Sequence, residues 1–499
     1  MVELQDINDF ELENIASTDA KGSSYELQGL GIHQGASDPL MAGSKLDGEE
    51  FNPIDEDIPE GKDDTWRSIL WKGKQIQVYP LDYQEFGIVR WQIISCLVMF
   101  MVFGFNDQSL GALIPIFVEE YNISEVRVSN VFLVQLAGYS LASLLNEKVH
   151  SRFGMRGGML IATILCLVFF TILSLKPSSF FLCSLCIFPL GLAIGILDAS
   201  GNVLIGNLLV HKNEIMGIMH AIYGAAAMVT PPLVTHFDNW GHWAWFYLIP
   251  LACSVVGMII IVPSFKYETA LKYDYTCNKD NVDDDENSDP NTKESFFQLF
   301  QNPGILLYAL FLFTYLGAEI TTGAWFFSYL LKTKLDDKIR MSYIASSYWI
   351  GLTVGRLVLG FVTKRAFVNE YRASRAYGLA TLVFYILFII TGSINSHSTF
   401  YFTVLFCIVF CCGFFIGPLF PSGSIVALQV LPPRLHVSGI GIAVALGGCG
   451  GAALPYLSGV LVHLIGMDYF PLISTIWVGL FNIIWLLYPR YIKGHPEFL

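Results

Sequence analysis

Twelve runs of apolar residues, each long enough to cross a bilayer, follow one another between residues 91 and 489. A hydrocarbon core of roughly 30 Å takes about 20 residues of helix. The runs read as helices over 91–118, 126–146, 157–175, 179–209, 213–235, 242–263, 304–331, 341–363, 375–394, 399–428, 435–463 and 469–489. Several exceed the required length, which predicts tilt or interfacial ends. With 54% hydrophobic and 14% charged residues, the composition agrees with lipid as the main solvent and argues against a soluble globular chain.

The charge of −13 sits at one end. The first 89 residues hold 19 Asp or Glu against 6 Lys or Arg, and from Arg90 onward acids and bases balance. The net charge thus describes one solvated arm and gives no reason to expect a nucleic-acid partner. Residues 1–89 are expected to be an acidic, mostly disordered tail with no cleavable signal peptide. Six-helix bundles are expected over 90–263 and 304–490, joined by an acidic flexible linker, 264–303, with the run DDDE at 283–286, and followed by a short tail, 491–499. An even number of crossings puts both termini on one side. A cytosolic N-terminus leaves 22 of the 29 Lys and Arg inside, so both termini are assigned to the cytosol. Nine of the ten cysteines fall in apolar runs and the tenth in the central loop, so no disulfide is expected.

The halves repeat. FPLGLAIGILDASGN, starting at Phe188, laid on FCCGFFIGPLFPSGS, starting at Phe410, gives seven identities in fifteen positions, which pairs the fourth run with the tenth. Gly224, Pro231 and Leu233 fall likewise on Gly448, Pro455 and Leu457. Gly111 and Ala112 fall on Gly323 and Ala324, and at that offset Asp107 falls on Glu319. Two repeated bundles with a site at their interface form a recurrent secondary-transporter architecture.

On these features the chain resembles the major facilitator superfamily over about residues 90–490. GFND (104–107) with Pro115, and GILDASGN (195–202), resemble its fucose-proton symporter branch. HAIYGAAAMVTPPLVT (220–235) and YWIGLTVGRLVLG (348–360) look closer still to fungal members. The resemblance implies an all-α membrane fold of two pseudo-symmetric six-helix bundles, with the first, fourth, seventh and tenth helices lining a cavity. It also implies functional carboxylates at Asp107 and Asp198. One departure is plain: of the superfamily's G-x-x-x-D-R-x-G-R loop between the second and third helices, only Arg152 and Gly154 survive.

An ionisable group at the centre of a membrane helix costs at least about 2.5 kcal/mol. Asp107, Asp198 and Glu319 are read as proton-coupling groups, because a carboxyl group moved between wet and dry surroundings can exchange a proton near neutral pH. Asn202 follows Asp198 by four residues and shares its face. Asn106, Gln108, Gln135, Asn202, His220, Tyr223, Trp325 and Tyr329 are candidates for substrate binding, since amides bond hydroxyls and aromatic faces cover C–H surfaces. Arg356, one turn before Gly360, reads as an anchor that snorkels to the cytosolic interface.

No nucleotide-binding loop, zinc spacing or nucleophile with its base is apparent, so neither an enzyme nor a cofactor is expected. The expected partners are the bilayer, a small solute and protons, and the expected form is a monomer in the plasma or vacuolar membrane. The leading expectation is alternating-access proton symport of a small hydroxylated solute such as a sugar. Two rivals stand beside it: a proton-driven drug or metabolite exporter, and a non-transporting nutrient sensor signalling through its tail.

Overall fold

The structure, a computed structural model, describes residues 66–285, 303–334, 336–430 and 436–491. Most of the acidic tail, the linker over 286–302 and the segment 492–499 lie outside the described residues. Two strands, β1 (Arg67–Trp71) and β2 (Lys74–Val78), pair antiparallel. They precede the helices of the first half: α1 (Gly87–Glu120), α2 (Glu125–Ser174), α3 (Phe180–Gly206), α4 (Lys212–Asn239) and α5 (Leu248–Ser264), then α6 (Ala270–Asp285). The second half holds α7 (Pro303–Lys334), α8 (Lys338–Ala366), α9 (Glu370–Gly392), α10 (Thr399–Ile416), α11 (Leu419–Val430), α12 (His436–Ile465) and α13 (Phe470–Tyr491).

Eleven of the described helical stretches are long and apolar enough to cross a membrane, and α2 accounts for two crossings. At about 1.5 Å per residue, its 50 residues would run roughly 75 Å, more than twice the hydrocarbon thickness. Gly154, at φ 70° and ψ 179°, breaks it into two arms. Helices α10 and α11 act the other way, making one crossing, Thr399–Ala427, around Gly417 and Pro418. Among the described residues the crossings number twelve. Large apolar side chains such as Phe181, Ile259 and Phe361 face outward, as lipid contact requires.

Gly154 is the glycine that survives from the superfamily loop, and the structure gives the reason. Its backbone lies in a region open essentially only to glycine. A Cβ there would also sit 2.4 Å from the carbonyl oxygen of Glu268, which accepts from the Arg156 backbone N–H at 3.0 Å. Gly154→Ala should cost about 1–3 kcal/mol from the backbone alone. It should lower the thermal unfolding midpoint of the detergent-solubilised protein. An unchanged midpoint would mean that the break and its seat on Glu268 do not form.

The sequence repeat is also a packing repeat. In the first half, a Cβ on Gly138 would lie 2.0 Å from the Phe188 carbonyl oxygen, and one on Gly191 would lie 2.3 Å from that of Gln135. In the second half, Gly351 meets the carbonyl of Phe410 and Gly413 meets that of Tyr348, each at 2.0 Å. The same four places are used twice, so α2 packs on α3 as α8 packs on α10. Small residues let the backbones approach this closely, which is how helices gain contact inside lipid.

The two bundles meet along α1–α7, α2–α12 and α4–α8. At the face reached by the C-terminus of α1, Glu125 of α2 bonds Lys332 of α7 and lies 3.2 Å from His463 of α12. Asp238 of α4 pairs with Lys338 of α8. Among the described residues, the ion pairs that join the two bundles all lie at this face. Deeper, a Cβ on Gly111 would touch Ala324, and Gln108 Nε2 donates to the Gly323 carbonyl at 3.1 Å. The bundles are therefore closed together toward the face opposite the hairpin and α6.

Two expectations need correction. Residues 66–86, placed in a mostly disordered tail, hold the hairpin, and 270–285, placed in a flexible linker, hold α6. The two elements bind each other: Trp71 Nε1 donates to Asp274 Oδ2 at 2.8 Å, and Lys72 pairs with the same oxygen at 2.6 Å. Glu268 is the hub, accepting from Tyr79 at 2.5 Å and pairing with Lys272 at 2.7 Å, while Gln92 of α1 donates to the Tyr79 oxygen at 2.8 Å. Burial, with Glu268 close by, pushes the Tyr79 phenol above its ordinary range, so it stays a donor.

Candidate functional site

Asp107 lies within α1, where a helix unbroken on both sides offers its side chain no free backbone N–H. Its partners come from neighbouring helices. Gln135 of α2 donates to Oδ1 at 2.7 Å, and the Tyr223 hydroxyl of α4 donates to Oδ2 at 3.1 Å. Asn106 turns its amide toward Gln135 Oε1 at 3.3 Å. Four of the sequence-predicted residues are thus one network.

Asp198 of α3 makes a second network. Asn202 donates to Oδ1 at 2.8 Å, and the Tyr139 hydroxyl donates to Oδ2 at 2.6 Å. Tyr139 is not among the residues expected from the sequence, although it lies one turn beyond Gln135 on α2. That spacing puts the donors to the two aspartates on one face of one helix. Every side-chain donor here is neutral, so among the described residues no cation cancels either carboxylate's charge. A phenol donates to the charged form and can rotate to accept from the protonated one.

Glu319, the repeat mate of Asp107, has a different environment. It is buried, and its Oε1 accepts from Arg356 Nη2 of α8 at 2.9 Å while the Tyr315 hydroxyl donates to Oε2. The Tyr348 hydroxyl donates to its backbone carbonyl at 3.2 Å, and Arg356 Nε donates to the Gly417 carbonyl at 3.3 Å. Arg356 is therefore not a snorkelling anchor. Its side chain turns inward because Glu319 and the carbonyl at the α10–α11 break offer partners that lipid does not. Tyr223, which bonds Asp107, lies on α4, the helix that packs against the α8 of Arg356.

Three substrate candidates are spent elsewhere. Trp325 Nε1 donates to the Pro455 carbonyl at 2.9 Å, the Tyr329 hydroxyl donates to the Gly392 carbonyl at 3.1 Å, and Gln108 ties α1 to α7. All three are buried in helix packing. His220 stacks edge-on against Phe100 with centroids 5.7 Å apart, on the helix that carries Tyr223.

A bilayer-crossing bundle of repeated halves, with uncompensated carboxylates in its interior, is the build of a membrane transporter. The Major Facilitator Superfamily model matches residues 96–415, and the chain belongs to that superfamily as a multi-pass integral membrane protein. It is 60% identical over 457 residues to Bypass of stop codon protein 6 of Saccharomyces cerevisiae, covering 90% of this chain and 92% of that one. It is 22% identical over 397 residues to the Glucose/mannose transporter GlcP of Bacillus subtilis, covering 76% and 91%. Among solved structures, a D-xylose-proton symporter superposes with a TM-score of 0.61 at 11% identity, covering 82% of this chain and 99% of that one. A peptide transporter, POT, does so with the same score and identity, covering 81% and 95%. At such identity the two structures speak for the fold alone. Family and fold indicate a transporter, as the sequence leads one to expect.

Proposed function

We propose that the chain is a proton-coupled symporter working by alternating access, with a small hydroxylated solute such as a sugar as its substrate. One observation carries this reading: two aspartates inside the first bundle, each held by neutral donors and neither paired with a cation among the described residues. Such groups tolerate both protonation states, as a carrier of protons must. Asn106, Gln135 and Asn202 around them match the hydroxyl groups of a solute. The name of the 22% identical Bacillus subtilis relative, a glucose/mannose transporter, points the same way. The face that closes the bundles together is read as the outer one, the termini as cytosolic, the single chain as the working unit, and the plasma or vacuolar membrane as its site.

Replacing Asn106 or Asn202 by Leu tests the solute class. A solute hydroxyl deprived of its partner should weaken binding by about 1–3 kcal/mol, while the amount of folded protein is unchanged. The measurement is the concentration dependence of uptake in vesicles, across a panel of hexoses and pentoses. Unchanged apparent affinity in both variants would remove these amides from the site.

A further inference from the structure

We propose that Arg356 is the receptor for a carboxylate on the transported solute, so that the substrate class narrows from hydroxylated solutes to hydroxylated monocarboxylates such as sugar acids. This rests on the proton-symport reading above. Three observations carry it.

The first is the asymmetry of the ion pair. The Arg356 side chain is 24% exposed and that of Glu319 is 5% exposed, so the cation is the more accessible member of the pair. The more accessible member is the one that can meet a second anion. The second is the repeat. The register that lays Gly351 on Gly138 and Tyr348 on Gln135 lays Arg356 on Ser143, whose hydroxyl donates only to the Tyr139 carbonyl. The fold stands without a cation at this place in its other half.

The third is the neighbourhood. The titratable groups facing Arg356 are Glu319 and Tyr315 from α7 and Tyr223 and His220 from α4; the segment between α10 and α11 contributes the Gly417 carbonyl. Tyr223 leads directly to Asp107 and its amides. A solute bridging the halves would thus meet one cation at one end and hydroxyl-binding amides at the other.

The charge balance then couples solute to proton. In the empty carrier, Glu319 cancels Arg356. When Glu319 takes up a proton the guanidinium loses its counter-charge, which is costly at this depth. A solute carboxylate restores the balance through the planar, two-pronged geometry that guanidinium groups favour. The loaded site, with protonated Glu319, Arg356 and the solute anion, carries the same net charge as the empty one, so both forms can cross the membrane.

The test uses the purified full chain in nanodiscs, titrated with matched probes: D-glucuronate, D-galacturonate and D-gluconate against D-glucose and D-galactose. Tryptophan fluorescence reads binding and a dye in weak buffer reads proton uptake. At least one acid should bind 10-fold or more tighter than its neutral counterpart and take up about one proton more than that counterpart does. Arg356→Lys should lose 10-fold or more for that acid. Glu319→Gln, which frees Arg356 permanently, should bind the acid with that additional uptake abolished, leaving only the uptake that accompanies a neutral sugar. Neutral sugars binding as well as the acids would overturn the carboxylate assignment while leaving symport standing, and so would failure of every acid to bind. Acid binding that needs Arg356 yet moves no proton would instead refute the symport reading on which the inference rests.

Discussion

Asp198→Asn is expected to abolish solute accumulation driven by a pH gradient and to preserve solute exchange across a vesicle membrane at equal pH. Asn keeps the size of the side chain and can still bond Tyr139 and Asn202, the two donors that hold Asp198. It can neither hold nor lose a charge, so the carrier behaves as though permanently protonated. A loaded carrier of that kind still reorients, whereas net cycling requires the empty, deprotonated form to return. Accumulation should fall to the equilibrated level. Asp107→Asn provides the contrast, because Asp107 shares its network with Asn106, Gln135 and Tyr223, and its loss should impair exchange as well. Accumulation at the parent level in Asp198→Asn would end the coupling role of this residue.

The second large effect concerns the pair in the other bundle. Arg356→Ala strips Glu319 of its counter-charge while leaving it buried, a change that costs about 3–5 kcal/mol in comparable sites. At neutral pH the variant should show a sharply reduced monodisperse peak in size-exclusion chromatography. Combining Arg356→Met with Glu319→Gln removes both charges, keeps an acceptor for Tyr315, and should bring the folded fraction back without bringing back transport. A fully folded Arg356→Ala at neutral pH would show that Glu319 does not depend on this cation.

Much of the architecture is legible in the amino-acid sequence, and the exceptions have physical reasons. The apolar runs and the repeat point to twelve crossings in two bundles, because lipid imposes a length and a polarity that few substitutions can disguise. The hydrogen-bonded networks of the first bundle are legible because Asp107, Gln135, Asp198 and Asn202 are polar groups where polar groups are expensive. Tyr139 and Tyr315 do not stand out, although each sits at a one-turn spacing, from Gln135 and from Glu319. In a chain with 23 tyrosines, residue type alone does not separate a donor inside the bundle from a ring at its edge.

Direction around a helix is the harder quantity. Trp325 lies six residues beyond Glu319, roughly 240° round the helix at about 100° per residue, so nearness in sequence puts it on the wrong face. Gln108, next to Asp107, points at α7 for the same reason. Arg356 has a side chain long enough to reach either the interface or the interior, and only the position of Glu319 decides between them. The hairpin is hidden by averaging. Its signal, a Lys72-Gly73 turn with φ of 49° and 74° between strands of alternating character, is about ten residues long inside a much longer acidic stretch.

Proton coupling is tested most directly in liposomes that contain the purified chain and a trapped pH-sensitive dye, with hexoses and hexuronates added outside at equal pH. Entry of the solute that the chain carries should acidify the lumen at a rate that follows solute uptake, and Asp198→Asn should remove the acidification. Solute entering at full rate while the lumen pH stays constant would contradict proton symport outright.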